Sequence, residues 1–324
     1  MTALGTRGAA AATRVVVTVP GGIGNIGPGL DVLGCAIAGL RDEVTAEWCD
    51  TPGISLIDAG HPDLPTAPAK HTTCIAAAAV LEQARRAGIP LQGKGIALTV
   101  RKQLPLSGGQ GGSAASAVAG AVVADALIGS ALDENSLLLC ALAAEETVAG
   151  RHLDNIAPSL LGGIVLVRSV DPIDIVRLPI PAGLFVVMAQ PSQRLNTSDA
   201  RGVLPTSLPR AIALHQMAQV GAIVAACYSG DLELLGRAID DRIAEPARAP
   251  LLPGFLAAKR AALAAGALGA SISGAGPTAF ALVAGEIVGA RVAAAMRDAY
   301  LDAGVECSAR VTQVDSQGAV VRTA

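Results

Sequence analysis

The stretch Leu104–Ser116, LPLSGGQGGSAAS, decides how the chain folds. Four of the five positions 108–112 are glycine, and small residues with helical spacing follow at once over Ser113–Ile128. A glycine loop that opens a helix exposes successive backbone N–H groups at the positive end of the helix dipole, a cradle for an anionic phosphate chain. Glycine is needed because a Cβ would block the close approach of backbone to phosphate. Ser113, at the helix start, reads either as a plain N-cap or as a hydroxyl offered to phosphate or to a bound magnesium ion.

Upstream, Gly95–Arg101 reads as a strand with Ile96, Leu98 and Val100 on one face, and Lys70–Ala87 as a helix stopped by Gly88. The first strand, Arg14–Val19, stops at Pro20, and GGIGNIGPG reads as a second glycine loop. Gly22-Ile-Gly24-Asn-Ile-Gly27 has the letters of a dinucleotide fingerprint, with Glu43 or Glu47 about 20 residues on. Gly27-Pro28-Gly29 breaks the chain where that fingerprint needs a helix. Gly88–Gly95, GIPLQGKG, imitates a P-loop but ends in Gly95 where a Ser or Thr should ligate magnesium.

Downstream, Asp133 is placed to cap a helix running to about Val148, RHLDN leads into a strand at Ile164–Val167, and the chain starts again from Pro172. A strand at Leu184–Ala189 precedes helices at Ser198–Leu204, Ala211–Tyr228 and Asp231–Ile243. A third glycine loop, SGAGP (273–277), lies between Ala267–Ile272 and the strand Thr278–Val283, and Ile287–Ala303 is a final helix. The irregular mixture of strands and helices predicts an α+β fold, cut into domains 1–167 and 168–324.

The 324 residues are 52% hydrophobic and 16% charged, which fits a folded globular chain. Only 2% are aromatic and the net charge is −3, which argues against a nucleic-acid partner. Mean hydropathy is +0.51. Asp125 nevertheless interrupts Ala114–Leu127, and Lys259 with Arg260 interrupts Leu256–Leu268, so no membrane span is expected. The N-terminus lacks a secretory cleavage site. Six cysteines without a C-x-x-C pair predict reduced thiols and a cytoplasmic protein.

Two polar groups stand out. Glu145, Glu146, Arg151, His152, Asp154 and Asn155 cluster in apolar surroundings, and Glu145 shares a helix face with Leu138 and Leu142. A carboxylate on such a stripe must be paired or hold a metal; otherwise the cluster is a solvated helix end. His152 reads as a neutral imidazole that fixes the turn rather than a catalytic base. Arg194, Asn196, Thr197, Arg201 and Arg248 surround a helix start and suit a carboxylate or phosphate, with ordinary surface ion pairs as the alternative.

In this order, VTVPGGIGNIGPGLDVLG, LPLSGGQGGSAASAV, RHLDNIAPSLLGGIVLV, NTSDARGVLP, RIAEPARAPLLPGF and ISGAGPT resemble the GHMP kinase superfamily and, within it, the homoserine kinase family, over nearly the whole chain. The resemblance implies an N-terminal α/β domain with a left-handed β-α-β crossover, a C-terminal ferredoxin-like domain and a homodimer. It implies transfer of phosphate from ATP to L-homoserine with Mg²⁺, on the path to threonine. Pro105, Ser107, Gly108, Gly109, Gln110, Gly111, Gly112, Ser113 and Ala114 would then wrap the ATP phosphates, with Ser113 and Glu145 on the metal side. Asn25, Asp31, His152, Asp154 and Asn155 would form the acceptor site, with Asn155 near the reacting hydroxyl. Thr197, Arg201 and Arg248 would take the substrate carboxylate, and Gly274 and Gly276 would let the third loop close. Gln110 stands where the family commonly has leucine, Gly112 where it has serine, and Gly22-Ile23 where it has Ser or Thr. A kinase of another small alcohol (shikimate or mevalonate), or a kinase-like sensor without turnover, is the competing reading.

Overall fold

The computed structural model describes residues 12–89, 91 and 94–323. The first eleven residues of the N-terminal reading, and Pro90, Gln92 and Gly93 of the GIPLQGKG decoy, therefore fall outside the described residues. The first sheet runs β11-β1-β2-β4-β3, from β1 (Arg14–Gly24), β2 (Leu33–Cys49), β3 (Ile54–Asp58), β4 (Gly95–Arg101) and β11 (Val320–Thr323). A hairpin of β5 (Ile164–Val170) and β6 (Ile173–Leu178) pairs with the start of β2. β3 and β4 are parallel and joined through α1 (Thr72–Arg86), the β-α-β unit of this sheet. Alternation decides what is buried: Val15, Val17 and Val19 of β1, with Val44, Ala46, Ile96, Leu98 and Val100, pack on α1, α2 (Gly112–Leu127), α3 (Glu134–Glu145) and α4 (Ile156–Leu161). α2 is buried nearly all round, so its residues are small, and Gly120 lets it lie directly against the backbone of Thr73.

The second sheet runs β10-β7-β9-β8, every pair antiparallel, built from β7 (Leu184–Pro191), β8 (Gly269–Ile272), β9 (Ala279–Ala284) and β10 (Cys307–Thr312). α9 (Phe255–Ala264) precedes β8 and α10 (Glu286–Asp302) joins β9 to β10, which gives the expected ferredoxin-like β-α-β-β-α-β order. Val187 and Ala189 of β7 pack on these two helices. Val186 and Met188 face the other way, onto Ile23, Leu33, Cys35 and Ile37 of the first sheet and onto α6 (Arg210–Ser229) and α7 (Leu232–Arg237). The two domains thus share a core. Two shorter helices, α5 (Thr197–Gly202) and α8 (Ala244–Arg248), lie between β7 and α9 in the chain. We place the second domain at residues 184–312, because a cut at 167 runs through β5 and because β11 returns to β1.

Two expectations change. GGIG is strand, not loop: β1 continues to Gly24 past a register shift at Pro20/Gly21. The glycines serve close approach, since a Cβ on Gly21 would stand 2.6 Å from the Gln110 carbonyl oxygen and one on Gly22 2.6 Å from that of Cys35. The helix expected over Asp231–Ile243 ends at Arg237, and the chain turns before α8. By length and composition α6, 20 residues long with an 18-residue window of mean hydropathy 1.4, is the one helix among the described residues able to cross a membrane. Its inner face nevertheless joins the shared core through Ile223, Ala226 and Cys227. All six cysteines are free.

Asp125, in the last turn of α2, accepts hydrogen bonds from the backbone N–H groups of Ala131 and Leu132, both at 3.0 Å. Burial pushes its carboxyl up to about 6 despite these bonds. The folded chain therefore holds a proton there that the unfolded chain releases near the ordinary value of 3.8, and stability falls as pH rises from about 4 to about 6. The gap is worth on the order of 3 kcal/mol. Asp125→Asn keeps the acceptor and loses the titration, so the variant should gain stability over the parent as pH rises from 4.5 to 7 in urea unfolding. Parallel curves would show that this carboxyl is not the group that titrates.

Candidate active site

The first and second domains meet at a cleft of about 570 Å³. One wall is the loop Ser107–Gly111 entering α2. Ser107, Gly109 and Gly111 have φ of 51°, 73° and 67°, a left-handed sequence in which a side chain at 109 or 111 would be strained. The loop is held from outside itself. Gly22 N–H donates to the Gln110 carbonyl (3.0 Å), Ser273 Oγ to that of Gly109 (2.6 Å) and Thr278 Oγ1 to that of Gly108 (2.5 Å). The first and third glycine motifs are thus supports for the second.

At the start of α2 the Ser113 hydroxyl donates to Glu145 Oε2 at 2.7 Å. Glu145 is buried and has no ion-pair partner among the described residues, and burial pushes its carboxyl above the ordinary glutamate range. A hydroxyl and a buried, uncompensated carboxylate side by side are hard oxygen donors suited to Mg²⁺. Lys102, unremarked in the sequence, lies beneath the loop. Its ammonium is fully used, in an ion pair with buried Asp42 and in bonds to the Gly112 carbonyl and Ser116 Oγ, each 2.9 Å. Asp42 also takes the N–H groups of Gln103 and Leu104 at 3.0 Å. This buried pair fixes the end of β4 to the start of α2.

The far end of the cleft carries opposite charges. Asn25 and Asp31 have φ of 72° and 60°, and Asn25 Oδ1 accepts the Asp31 N–H at 3.2 Å, closing the turn that follows β1. Asp154 Oδ2 accepts from Asn25 N–H (3.0 Å) and Asn155 Nδ2 (3.2 Å), and Asp154 Oδ1 lies 2.7 Å from His152 Nδ1. The other ring nitrogen faces the Ala149 carbonyl at 3.3 Å. Burial alone lowers His152, but the hydrogen bond and charge of Asp154, with the charge of Asp31, raise it overall. A Cβ on Gly24 would stand 2.6 Å from Asp154 Oδ2, which is the use of that glycine. Asp31, His152 and Asp154 lie close enough to ligate an ion, but Arg201 forks onto Asp31 at 2.8 and 3.2 Å, and His152 already pairs with Asp154.

Arg248 is buried, donating from Nε to the Ala200 carbonyl (3.1 Å) and from Nη1 to that of Gly274 (2.9 Å), where Asn25 Nδ2 also donates. Thr197 opens α5 on the same side, and Gly276 belongs to the facing loop. Asn155 precedes α4 but does not cap it, and its Oδ1 lies beside Gly111, between the charged end and the glycine loop. Two residues expected at the phosphates do not line the cleft: Ala114 is packed in the core, and the Gln110 side chain turns into the second sheet. Lys70, His71 and Thr72 do line it, on a segment that sequence reasoning used only as the start of α1.

A glycine-loop kinase cleft between an α/β domain and a ferredoxin-like domain defines the chain as a GHMP kinase: residues 72–163 match the family of GHMP kinases N terminal domains and 223–302 that of GHMP kinases C terminal. A homoserine kinase of Chlorobium phaeobacteroides is 40% identical over 92% of this chain and 96% of its own length. One of Arabidopsis thaliana is 40% identical over 93% of this chain and 82% of its own. The crystal structure of homoserine kinase from Cytophaga hutchinsonii superimposes with a TM-score of 0.91 at 36% identity, covering 98% of this chain and 100% of that one. Within the GHMP kinases, the chain belongs to the homoserine kinase family.

Proposed function

We propose that the protein transfers the γ-phosphoryl group of ATP to the side-chain hydroxyl of L-homoserine, giving O-phospho-L-homoserine and ADP for threonine biosynthesis. The observation that carries this reading is the gathering of Asp31 and Asp154 with Arg201 and Arg248, Arg201 forking onto Asp31, at one end of a cleft whose other end is the glycine loop. An α-amino acid needs one anion and one cation there; shikimate and mevalonate offer no ammonium for Asp31.

In this reading Asp31 takes the ammonium, Arg201, Arg248 and Thr197 take the carboxylate, and Asn155 Nδ2 orients the hydroxyl toward the loop. Asn25, His152 and Gly274 hold these groups in place, and the backbone of residues 107–113 receives the phosphates. Ser113 and Glu145 would hold Mg²⁺, which supplies charge neutralisation on the phosphoryl oxygens. Neither Lys102 nor Asp154 is left free as a base for the hydroxyl: Lys102 spends its three protons on Asp42, Gly112 and Ser116, and both Asp154 oxygens accept donors already. The hydroxyl then attacks in line and gives its proton to the departing phosphoryl group, which suits a loose transition state in which positioning outweighs proton abstraction.

We also place the protein in the cytoplasm as a homodimer. Free cysteines support the first, and the exposed stripe Leu214, Met217 and Tyr228 on α6 is an apolar surface that a second copy would cover. Sedimentation of the purified protein decides the second.

ADP release with Mg-ATP and L-homoserine, D-homoserine, L-serine, shikimate or mevalonate tests the assignment. Turnover confined to L-homoserine is expected. Turnover on another alcohol overturns the acceptor site, and silence on all with ATP bound leaves a sensor.

A further inference from the structure

Gln110 is the one side chain between two left-handed glycines, and it is only 2% exposed. A buried primary amide is costly unless each of its groups finds a partner, and here each does. Its Oε1 accepts from Arg310 Nη2 on β10 at 2.8 Å. Its Nε2 donates to Gln190 Oε1 on β7 at 2.9 Å and to Thr278 Oγ1, just before β9, at 3.2 Å. The three partners lie in or beside three strands of the second domain, and one of them, Thr278, also donates to the carbonyl of Gly108 in the same loop. Turning the amide over would set Oε1 against Gln190 Oε1 and Nε2 against a guanidinium, so the network fixes one orientation.

The loop's other positions near Gln110 have no side chain to anchor them. The backbone conformations at Gly109 and Gly111 are open to glycine in many alternatives, and disordering them would scatter the N–H groups that face the cleft. We infer that Gln110 is a positioning residue for the nucleotide: its amide latches the phosphate loop to the second domain's sheet and preorganises the loop for ATP. The inference rests on the kinase reading above. It concerns the nucleotide end of the cleft alone, because neither Gln110 nor Arg310 lines the cleft, and the groups assigned to homoserine hang on Asn25, Asp154 and Gly274 instead.

The test uses Gln110→Leu, Arg310→Met and the double variant in the full chain. Each is measured for thermal midpoint, for binding of a non-hydrolysable ATP analogue, and for the KM values of ATP and L-homoserine. Gln110→Leu strands a half-buried guanidinium and should weaken nucleotide binding about tenfold, as expected for the loss of a charge-assisted hydrogen bond, with KM for homoserine within about twofold. Arg310→Met, remote from the cleft, should raise the ATP KM in the same direction, and it carries the test if Gln110→Leu does not fold. The double variant should lose less than the sum of the two, since replacing both partners by apolar groups leaves no orphan. A lower thermal midpoint with unchanged nucleotide binding, or equal losses for both substrates, overturns the inference. Failure of the parent protein to bind the analogue overturns the kinase reading instead, so the two failures are distinguishable.

Discussion

Replacing Glu145 by glutamine is expected to lower kcat by about two to three orders of magnitude while KM for homoserine stays within about twofold. The amide keeps the shape of the carboxylate and still accepts from the Ser113 hydroxyl, so what is lost is one negative charge at the start of α2. Without it, the pair Ser113–Glu145 no longer compensates a divalent cation, and metal-supplied stabilisation of the phosphoryl charge is worth several kcal/mol, at about 1.4 kcal/mol per tenfold. Stability should move the other way. Burial pushes the Glu145 carboxyl up because the ionised form is poorly solvated there, and a neutral amide removes that cost. The expected result is therefore a slower enzyme whose thermal midpoint is equal or higher, a trade common at built sites. Steady-state rates across a Mg²⁺ titration, with calorimetry on the same samples, check both halves. A Glu145→Gln protein with parental turnover at parental Mg²⁺ would remove Glu145 from the metal side.

The glycine loops, the HLDN cluster and the arginines were legible because their chemistry is local: each needs certain residue types at short spacing. Asp133 was legible as a helix cap for the same reason, and its side chain accepts from Ser136 N–H at 2.8 Å. What was not legible depends on partners far along the chain. GGIG looks like a loop from inside, and only the backbone of Cys35 and Gln110 lying against it explains glycines within a strand. Thr312 and Val320 end up on two different sheets, β10 on β7 and β11 on β1, and nothing near either residue announces it. Lys102 and Asp42 are 60 residues apart and each is unremarkable alone. Gln110 read as a lost leucine because its three partners are between 80 and 200 residues away. Only folding brings Asp31 to the same side of His152 as Asp154.

Arg201→Ala is expected to act at the opposite end of the cleft, raising KM for L-homoserine by about two orders of magnitude and leaving the ATP KM within about twofold. In the free protein, Arg201 forks onto Asp31 with one oxygen at 2.8 Å and the other at 3.2 Å, while its Nε is buried without a partner. The ion pair is about one third exposed, so it adds little to stability. Its use is at the moment of binding. A zwitterion brings one charge for each member, so it can insert between them without leaving either ion unmatched. An acceptor with only one charge leaves a partner stranded, which costs more than the new contact gains. Removing the guanidinium takes away a charge-assisted contact worth about 1.5–3 kcal/mol to the carboxylate and leaves Asp31 as uncompensated negative charge facing it. The same account makes 4-hydroxybutyrate, which lacks the ammonium, a poor acceptor for the parent protein, and Arg201→Ala should make it no better. Arg248, held by the Ala200 and Gly274 carbonyls, stays in place to bind what remains of the carboxylate, so turnover at saturating homoserine should fall far less than the affinity. Equal losses of homoserine affinity and of Mg²⁺-dependent turnover in both Arg201→Ala and Glu145→Gln would contradict a cleft divided into a substrate end and a metal end.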